Sequence, residues 1–194
     1  VLPKTVDELT KPECKGRLGI APTNASFQAF VTAMIQTRGE VETEKWLRGI
    51  VANSPKFFEK NSLIVEAIDA GEIDAGLVNH YYIYEVAEEL GREIDVKNSF
   101  FAPGDIGNLI NASGLGILAT SKKSKSADKL IQFLLSDTAQ QFFVDDVKEY
   151  SAVDSSLSPG ELIPLSDIKA PKVDLAALKD LKRTQSLLIK VGLL

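Results

Sequence analysis

The chain has 194 residues, of which 44% are hydrophobic and 25% charged, and its 22 basic and 27 acidic side chains give a net charge of −5. This composition is typical of a globular protein with a buried core, and the scattered basic residues argue against nucleic-acid binding. No apolar run approaches the ~20 residues that cross a membrane. The single cysteine, Cys14, excludes an internal disulfide and a zinc cluster of several thiolates.

The first half of the chain alternates short apolar runs with amphipathic stretches. Predicted strands lie at 17–22 and 73–78, and predicted helices lie at 27–35, 41–52, 62–70 and 81–90. A polar turn, 23–26, joins the first strand to the first helix, and Gly71 and Gly91 end the third and fourth helices. Strands that alternate with helices indicate an α/β fold with a mostly parallel sheet.

The second half of the chain has a different character. Residues 100–105 predict a turn-rich link, and the glycine-rich stretch 107–119 predicts extended chain that crosses between two lobes. Three more amphipathic helices are predicted, at 127–135, 138–147 and 175–191. Within the crossing segment, the apolar residues 115–119 predict a strand that would complete a sheet begun by earlier residues.

Three of the four tyrosines and the only histidine lie within five positions of the stretch GLVNHYYIYE, residues 76–85. Phenolates are anionic oxygen donors that suit a hard trivalent ion such as Fe³⁺. Adjacent side chains diverge within a helix or a strand, so Tyr81 and Tyr82 can converge only at an element boundary, such as the strand-to-helix corner predicted at Asn79. The alternative is that one ring packs in the core while the other lies at the surface. We expect His80 to lie at the surface and to bind no metal.

Two other stretches have the chemistry of an anion pocket. The turn Thr23–Ser26 lies where a strand leads into a helix, so backbone N–H groups and the helix dipole point at whatever occupies it. Asn61 begins the third predicted helix and could donate its amide to the same ligand. Each feature taken alone is ordinarily a helix cap. Three such corners at one edge of a parallel sheet, however, form a crevice of the kind that binds ligands.

Four stretches of the chain carry a family resemblance. KGRLGIAPTNASFQAFV is similar to a first strand and anion-binding turn, and EKNSLIVEAIDAGEIDAGLVNHYY to a middle segment ending in an asparagine, one residue and two tyrosines. GLGILATSKKSKSADKLIQFLLS is similar to a return segment, and KDLKRTQSLLIKVGLL to a C-terminal helix. In this order they resemble the bacterial periplasmic ferric-ion-binding proteins of iron ABC transporters, a group of type II solute-binding proteins.

The resemblance implies a metal site with two tyrosine ligands. Tyr81 and Tyr82 would be the phenolate ligands of Fe³⁺, and a synergistic anion, phosphate or carbonate, would complete the metal's coordination shell. The anion would be held by five residues: Asn24, Ala25, Ser26, Asn61 and Asn79. Some relatives carry a third tyrosine ligand after the first strand. This chain has Phe27 there, which favours the two-tyrosine, anion-dependent version.

The resemblance also implies an architecture, namely a three-layer α/β/α lobe of the type II periplasmic-binding-protein kind plus part of a second lobe. It assigns 1–106 to the second, C-terminal lobe, which carries the tyrosine pair. Residues 107–152 would be a return segment belonging to the first lobe, and 153–194 a helical segment that packs back on the second lobe. Complete members have a first lobe that supplies further ligands ahead of this region, and we expect the chain to lack much of it.

The function implied by the resemblance is ferric-iron binding for uptake, by a partial binding component and not an enzyme. It would act in the periplasm or otherwise outside the cytoplasm, with an ABC transporter permease in the membrane as its partner, although the chain shows no signal-peptide pattern. Because the return segment would lack its usual cover, we also expect self-association, most simply as a dimer, with the unpaired strand 115–119 at or near the contact and the apolar faces of the helices that follow covered.

Two alternatives stay open. A solute-binding protein of the same fold could use its tyrosines to stack on an anion, a thiamine-like compound or a polyamine. A fragment without binding activity could instead associate with itself. The red colour of an iron–phenolate complex tests the first alternative, and the mass of the protein in solution tests the second.

Overall fold

The computed structural model describes residues 2–194. The strands are β1 (Leu18–Ile20), β2 (Lys56–Phe57) and β3 (Ala75–Gly76). The α-helices are α1 (Ala25–Arg38), α2 (Glu40–Ala52), α3 (Asn61–Asp69), α4 (Tyr82–Leu90), α5 (Ser124–Leu134), α6 (Asp137–Phe142) and α7 (Leu181–Lys190). Single 3₁₀ turns lie at Val6–Thr10, Pro12–Cys14, Ile106–Asn108, Leu165–Asp167 and Leu175–Ala177, and a π-helical turn lies at Phe143–Val147.

Three predictions for the second half of the chain need correction. Within the described residues no strand forms at 115–119. The helix predicted over 138–147 is the short α6 followed by the π-helical turn. The helix predicted over 175–191 is divided, because the Asp180 side chain accepts a hydrogen bond from the Arg183 N–H and so caps a new helix at that point.

The chain forms two compact units. One comprises Val1–Asn111 together with Ala170–Leu194, and the other comprises Ala112–Lys169. The division into 1–106, 107–152 and 153–194 refers to the lobes of a longer protein, and it stays a prediction.

The first unit contains a parallel three-stranded sheet in the order β2-β1-β3, which confirms the predicted mostly parallel arrangement. Gly19 in the central strand pairs with Lys56 on one side and with Gly76 on the other. All three residues of β1 are buried. Strand β2 was not predicted, since both of its residues are exposed and it has no apolar pattern.

Helices cover both faces of this sheet. Leu18 and Ile20 point to one face, where they join the main hydrophobic core with α1, α2 and α7. Gly19 points to the other face, where a Cβ would lie 3.1 Å from Cγ2 of Ile64 on α3. At Gly76 the same Ile64 atom would lie only 2.1 Å from a Cβ. The two glycines therefore let α3 lie directly against the strands, in an α/β/α arrangement.

The segment that precedes β1 is fixed to α2 by side-chain hydrogen bonds. The Trp46 indole N–H donates to the Val6 carbonyl oxygen at 3.0 Å. The Asn53 amide at the end of α2 donates to the carbonyl oxygens of Leu9 and Lys11 at 2.9 and 2.7 Å. These bonds satisfy buried polar groups and hold the first turns of the chain over the main core.

The second unit is built around α5, α6 and the π-helical turn. Gln140 is its polar centre: the side-chain oxygen accepts from Ser151 Oγ at 2.9 Å and from the Ala152 N–H at 2.8 Å, and the amide donates to the Leu134 carbonyl. Helix α5 buries none of its residues. In the part of the chain that the structure describes, no helix is long and apolar enough to cross a membrane.

Candidate metal and anion site

Three corners of the chain meet at the carboxyl edge of the sheet. β1 leads into the turn that contains Asn24 and Ser26, β2 leads to Asn61 at the start of α3, and β3 leads to Asn79. Parallel strands place their carboxyl ends at one edge, so the corners that follow them become neighbours. The structure therefore brings the predicted polar residues together at the edge where the sequence predicts a crevice.

A chain of hydrogen bonds joins these corners. The Asn79 amide nitrogen lies 3.0 Å from Ser26 Oγ and 3.0 Å from the Tyr81 hydroxyl oxygen, and it donates to both. The Tyr82 hydroxyl is hydrogen-bonded to Tyr81 and to Asn61, which is only 3% exposed. The first and third corners are thus linked through Asn79, and the second and third through Tyr82.

The two tyrosine rings lie side by side at an element boundary. Tyr81 is the N-cap of α4 and Tyr82 its first residue. Their ring centroids are 4.6 Å apart and the planes are inclined by 35°. Both side chains are half-buried, so the alternative of one ring in the core and one at the surface is not the arrangement found. Two hydroxyl oxygens within hydrogen-bonding reach of each other can converge on one ion.

Burial raises the pKa of Tyr82 to about 12. The hydrogen bond with Tyr81 and the negative charges that Tyr81 and Glu85 can carry act in the same direction, whereas the bond from Asn61 opposes the rise. Tyr82 is therefore a protonated phenol at neutral pH. Only a strongly charged cation could displace its proton and use the oxygen as a ligand.

The N-terminus of α1 lies in the corner that follows β1. Asn24 caps the helix, and its side-chain oxygen accepts from the Ser26 N–H at 2.8 Å. The first turn of any helix has N–H groups without intrahelical partners and carries the positive end of the helix dipole. Ala25 contributes backbone only, and it is exposed. This corner offers donors without formal charge.

His80 is half-buried, so the expectation of a simple surface position is wrong. Its ring lies edge-on to Tyr81, with centroids 5.6 Å apart and planes at 82°. The His80 carbonyl accepts from the Asn98 amide at 2.9 Å, which fixes this corner from the loop after α4. Asn98 could not be predicted from the sequence, because no local pattern connects a loop asparagine with a carbonyl 18 residues earlier in the chain.

Acidic and sulfur ligands are not gathered anywhere in the described part of the chain. No group of three or more His, Cys, Asp or Glu side chains among residues 2–194 is placed to hold a metal ion. Burial raises the pKa of Cys14, whose thiol contacts the Glu8 carbonyl, so it remains a thiol at neutral pH. The phenol pair and its amide neighbours are therefore the donors that distinguish the site.

Comparison with known sequences finds relatives that are named as ferric-iron-binding proteins. An Fe(3+)-binding periplasmic protein of Serratia marcescens is 34% identical over 195 residues, which cover 100% of this chain and 57% of that protein. The major ferric iron-binding protein of Neisseria meningitidis is 32% identical over 193 residues, 99% of this chain and 58% of that one. The chain thus spans little more than half the length of these relatives.

The fold agrees with solved structures. Iron-bound HitA from Pseudomonas aeruginosa superposes with a TM-score of 0.90 at 31% identity, over 98% of this chain and 62% of that one. A Bordetella ferric binding protein gives a TM-score of 0.75 at 28% identity, over 100% and 64% of the two chains. The predicted fold class is confirmed. Residues 1–172 match the family described as bacterial extracellular solute-binding proteins, and the chain belongs to that family, with the type II periplasmic-binding-protein fold.

Proposed function

We propose that the chain binds Fe³⁺ as part of the solute-binding component of an ABC-type iron-uptake transporter. The observation that carries the proposal is the pair of hydrogen-bonded hydroxyls of Tyr81 and Tyr82 at the carboxyl edge of the sheet. The names of the relatives, which are ferric-iron-binding proteins, support the choice of metal. Action in the periplasm or another extracytoplasmic space, and docking on a membrane permease, belong to the same proposal.

The chemistry of the pair favours Fe³⁺ over softer or divalent ions. Ferric ion is small, hard and trivalent, so it prefers anionic oxygen donors and can drive a phenol proton off. Tyr82 in particular would keep its proton in the presence of weaker cations, because its pKa is about 12. In this proposal iron displaces a proton from each hydroxyl, and the mutual hydrogen bond of the pair is replaced by two oxygen–metal bonds.

A bound anion, phosphate or carbonate, would complete the metal's shell. Two phenolates leave most of an octahedral shell unfilled and supply two negative charges against three positive ones. The residues proposed to hold the anion surround the tyrosines: Asn24, Ala25, Ser26, Asn61 and Asn79. They offer N–H and O–H donors, and Asn79 already donates to both Ser26 and Tyr81. An anion bridging metal and amides would take over these donors.

Substitution of single tyrosines tests the metal ligands. Tyr81→Phe and Tyr82→Phe each remove one oxygen and keep the ring, so we expect either change to abolish most of the iron affinity and the red charge-transfer colour. Tyr84→Phe on the same helix is the matched control, and it should keep both. His80→Ala should retain iron binding as well. Full iron binding by both the Tyr81 and Tyr82 variants would exclude the assignment.

The anion is tested by removing phosphate and carbonate from the buffer. Iron affinity should then fall, and phosphate added back should restore it. Equal affinity with and without both anions would remove the synergistic anion from the proposal. If a colourless protein binds an organic solute at this site, the same fold serves a different ligand.

We also propose that the protein associates with itself through an apolar face of the second unit. Its members are large and exposed: Leu118 (77%), Leu130 (57%), Phe133 (58%) and Phe142 (54%). Contiguous apolar patches are uncommon on monomers, and in this proposal a second copy of the chain covers these side chains. Since no strand forms at 115–119 within the described chain, the contact would involve side chains of the helices and of the loop that holds Leu118, and not strand pairing.

Sedimentation at micromolar concentration measures this association. The wild type should show a concentration-dependent dimer, and Phe133→Glu should shift it to monomer. Val41→Glu is the control, because Val41 is 78% exposed but lies on α2 in the first unit. A wild-type protein that stays monomeric across the concentration range would rule out the dimer.

A further inference from the structure

A buried glutamine, Gln28, connects the proposed anion-binding turn with the C-terminal helix α7. It lies one turn into α1 and is only 7% exposed. Its amide nitrogen donates to the carbonyl oxygens of Pro22 at 3.2 Å and Thr23 at 3.4 Å. Helical side chains point back toward the N-terminus of their helix, so a residue at this position is placed to reach the turn that precedes α1.

The two carbonyls that Gln28 binds immediately precede the residues proposed to hold the anion. A carbonyl oxygen carries partial negative charge, so a carbonyl of Pro22 or Thr23 turned toward the crevice would repel an anion. A buried carbonyl without a partner is also costly. By binding both oxygens, Gln28 fixes the two peptide planes that lead into Asn24 and the first turn of α1.

Helix α7 holds Gln28 in this orientation. The Gln185 amide donates to the side-chain oxygen of Gln28 at 3.3 Å, which leaves the N–H groups of Gln28 for the two carbonyls. One turn further along α1, the hydroxyls of Thr32 and Thr184 share a buried hydrogen bond of 2.7 Å. The two helices are thus joined by polar contacts at successive turns, and the first of these contacts reaches the turn.

We propose that Gln28 is a positioning residue, which sets the conformation of the 22–26 turn for anion binding and is itself oriented by Gln185. The inference rests on the proposed function, because it assigns the affinity for the anion partly to residues outside the set that would contact it. It also gives α7 a role, because Gln185 on that helix orients Gln28 and so helps to fix the conformation of the turn.

The test compares two buried substitutions on α1. Gln28→Met keeps the length of the side chain but has no N–H to donate. Thr32→Val is the matched control, since it also removes a buried contact with α7 and leaves the carbonyls of Pro22 and Thr23 untouched. The dissociation constant for inorganic phosphate is measured by calorimetry, with and without iron. Amide hydrogen exchange at Asn24 and Ser26 reports the turn directly.

We expect Gln28→Met to weaken phosphate binding about tenfold, because only about a tenth of the free protein would then hold the turn in its binding conformation, and to speed exchange at the two amides. Thr32→Val should lower the melting temperature yet change phosphate affinity by less than about twofold. Gln185→Leu should give an effect between these. Unchanged affinity and exchange in Gln28→Met, or equal changes in Thr32→Val, would overturn the positioning role.

Failure of the proposed function gives a different result. If the wild type binds neither iron nor phosphate, but Gln28→Met still speeds exchange at Asn24 and Ser26 selectively, the ligand assignment is wrong while Gln28 does position the turn.

Discussion

Replacing Gly76 with alanine tests how closely α3 must approach the sheet for the site to form. The added Cβ would lie 2.1 Å from Cγ2 of Ile64, whereas carbon atoms in contact lie about 3.5–4.0 Å apart. The new Cβ and Cγ2 of Ile64 must therefore move apart by roughly 1.4 Å or more. Ile64 is fully buried, and its branched side chain has one strongly preferred rotamer in a helix. The helix itself has to move.

Overpacking of this kind costs about 1–3 kcal/mol of unfolding free energy. With a urea m-value of about 2 kcal/mol/M, the unfolding midpoint should fall by about 0.5–1.5 M. Trp46, in the core of the same unit, reports the transition by fluorescence. Because α3 begins at Asn61, its displacement should also weaken the hydrogen bond from Asn61 to Tyr82 and so reduce iron affinity.

Two controls separate crowding from other effects of the substitution. Gly116→Ala should be neutral, since a Cβ there meets nothing within 4 Å. Ile64→Ala removes the opposing methyl group, so the double variant with Gly76→Ala should be more stable than the sum of the two single effects predicts. A midpoint for Gly76→Ala within error of the wild type would refute the close packing of α3 on β3.

Two further predictions concern single side chains. The pKa of Tyr82 is raised from its ordinary 10.0 to about 12, so its contribution to stability is complete below pH 10 and is lost as the pH rises through 12. Between pH 10 and 12, iron-free Tyr82→Phe should therefore lose less unfolding free energy than the wild type. Urea unfolding at stepped pH measures this, and parallel curves for the two proteins would contradict it. Trp46→Phe removes the buried hydrogen bond to the Val6 carbonyl and part of the core packing, and it should cost about 1–3 kcal/mol in urea unfolding, whereas Val41→Ala on the exposed side of α2 should change little.

Much of the site could be predicted because its residues follow local rules. The apolar run before Pro22 predicted β1, and the asparagine after it predicted the cap of α1, which the structure confirms at Asn24. The doublet at the end of an apolar run predicted a strand-to-helix boundary, and Tyr81 and Tyr82 lie at the start of α4. Alternating strands and helices then placed the corners at one edge of a parallel sheet.

The parts that were missed depend on contacts between distant residues. Strand β2 has two exposed residues, and only its pairing with β1 makes it a strand. The stretch 115–119 has the apolar character of a strand, but a strand also needs a hydrogen-bonding neighbour, and the described chain provides none there. The contacts of Gln28 with Gln185 and of Asn79 with Ser26 likewise join separate elements, so no local pattern announces them.

The position of β1 in the sheet has a consequence for the order in which the chain can fold. β1 is the central strand but comes first in sequence, and its second partner, β3, follows only after three helices and β2. Parallel pairing over such distances is slow, because the entropy of closing a long loop is lost before the contacts form. When the chain emerges from the ribosome, Tyr81 and Tyr82 follow almost at once after β3. The tyrosine pair can therefore reach Ser26 and Asn61 only once β3 has paired with β1, and iron added to a refolding protein should develop its colour no earlier than that pairing.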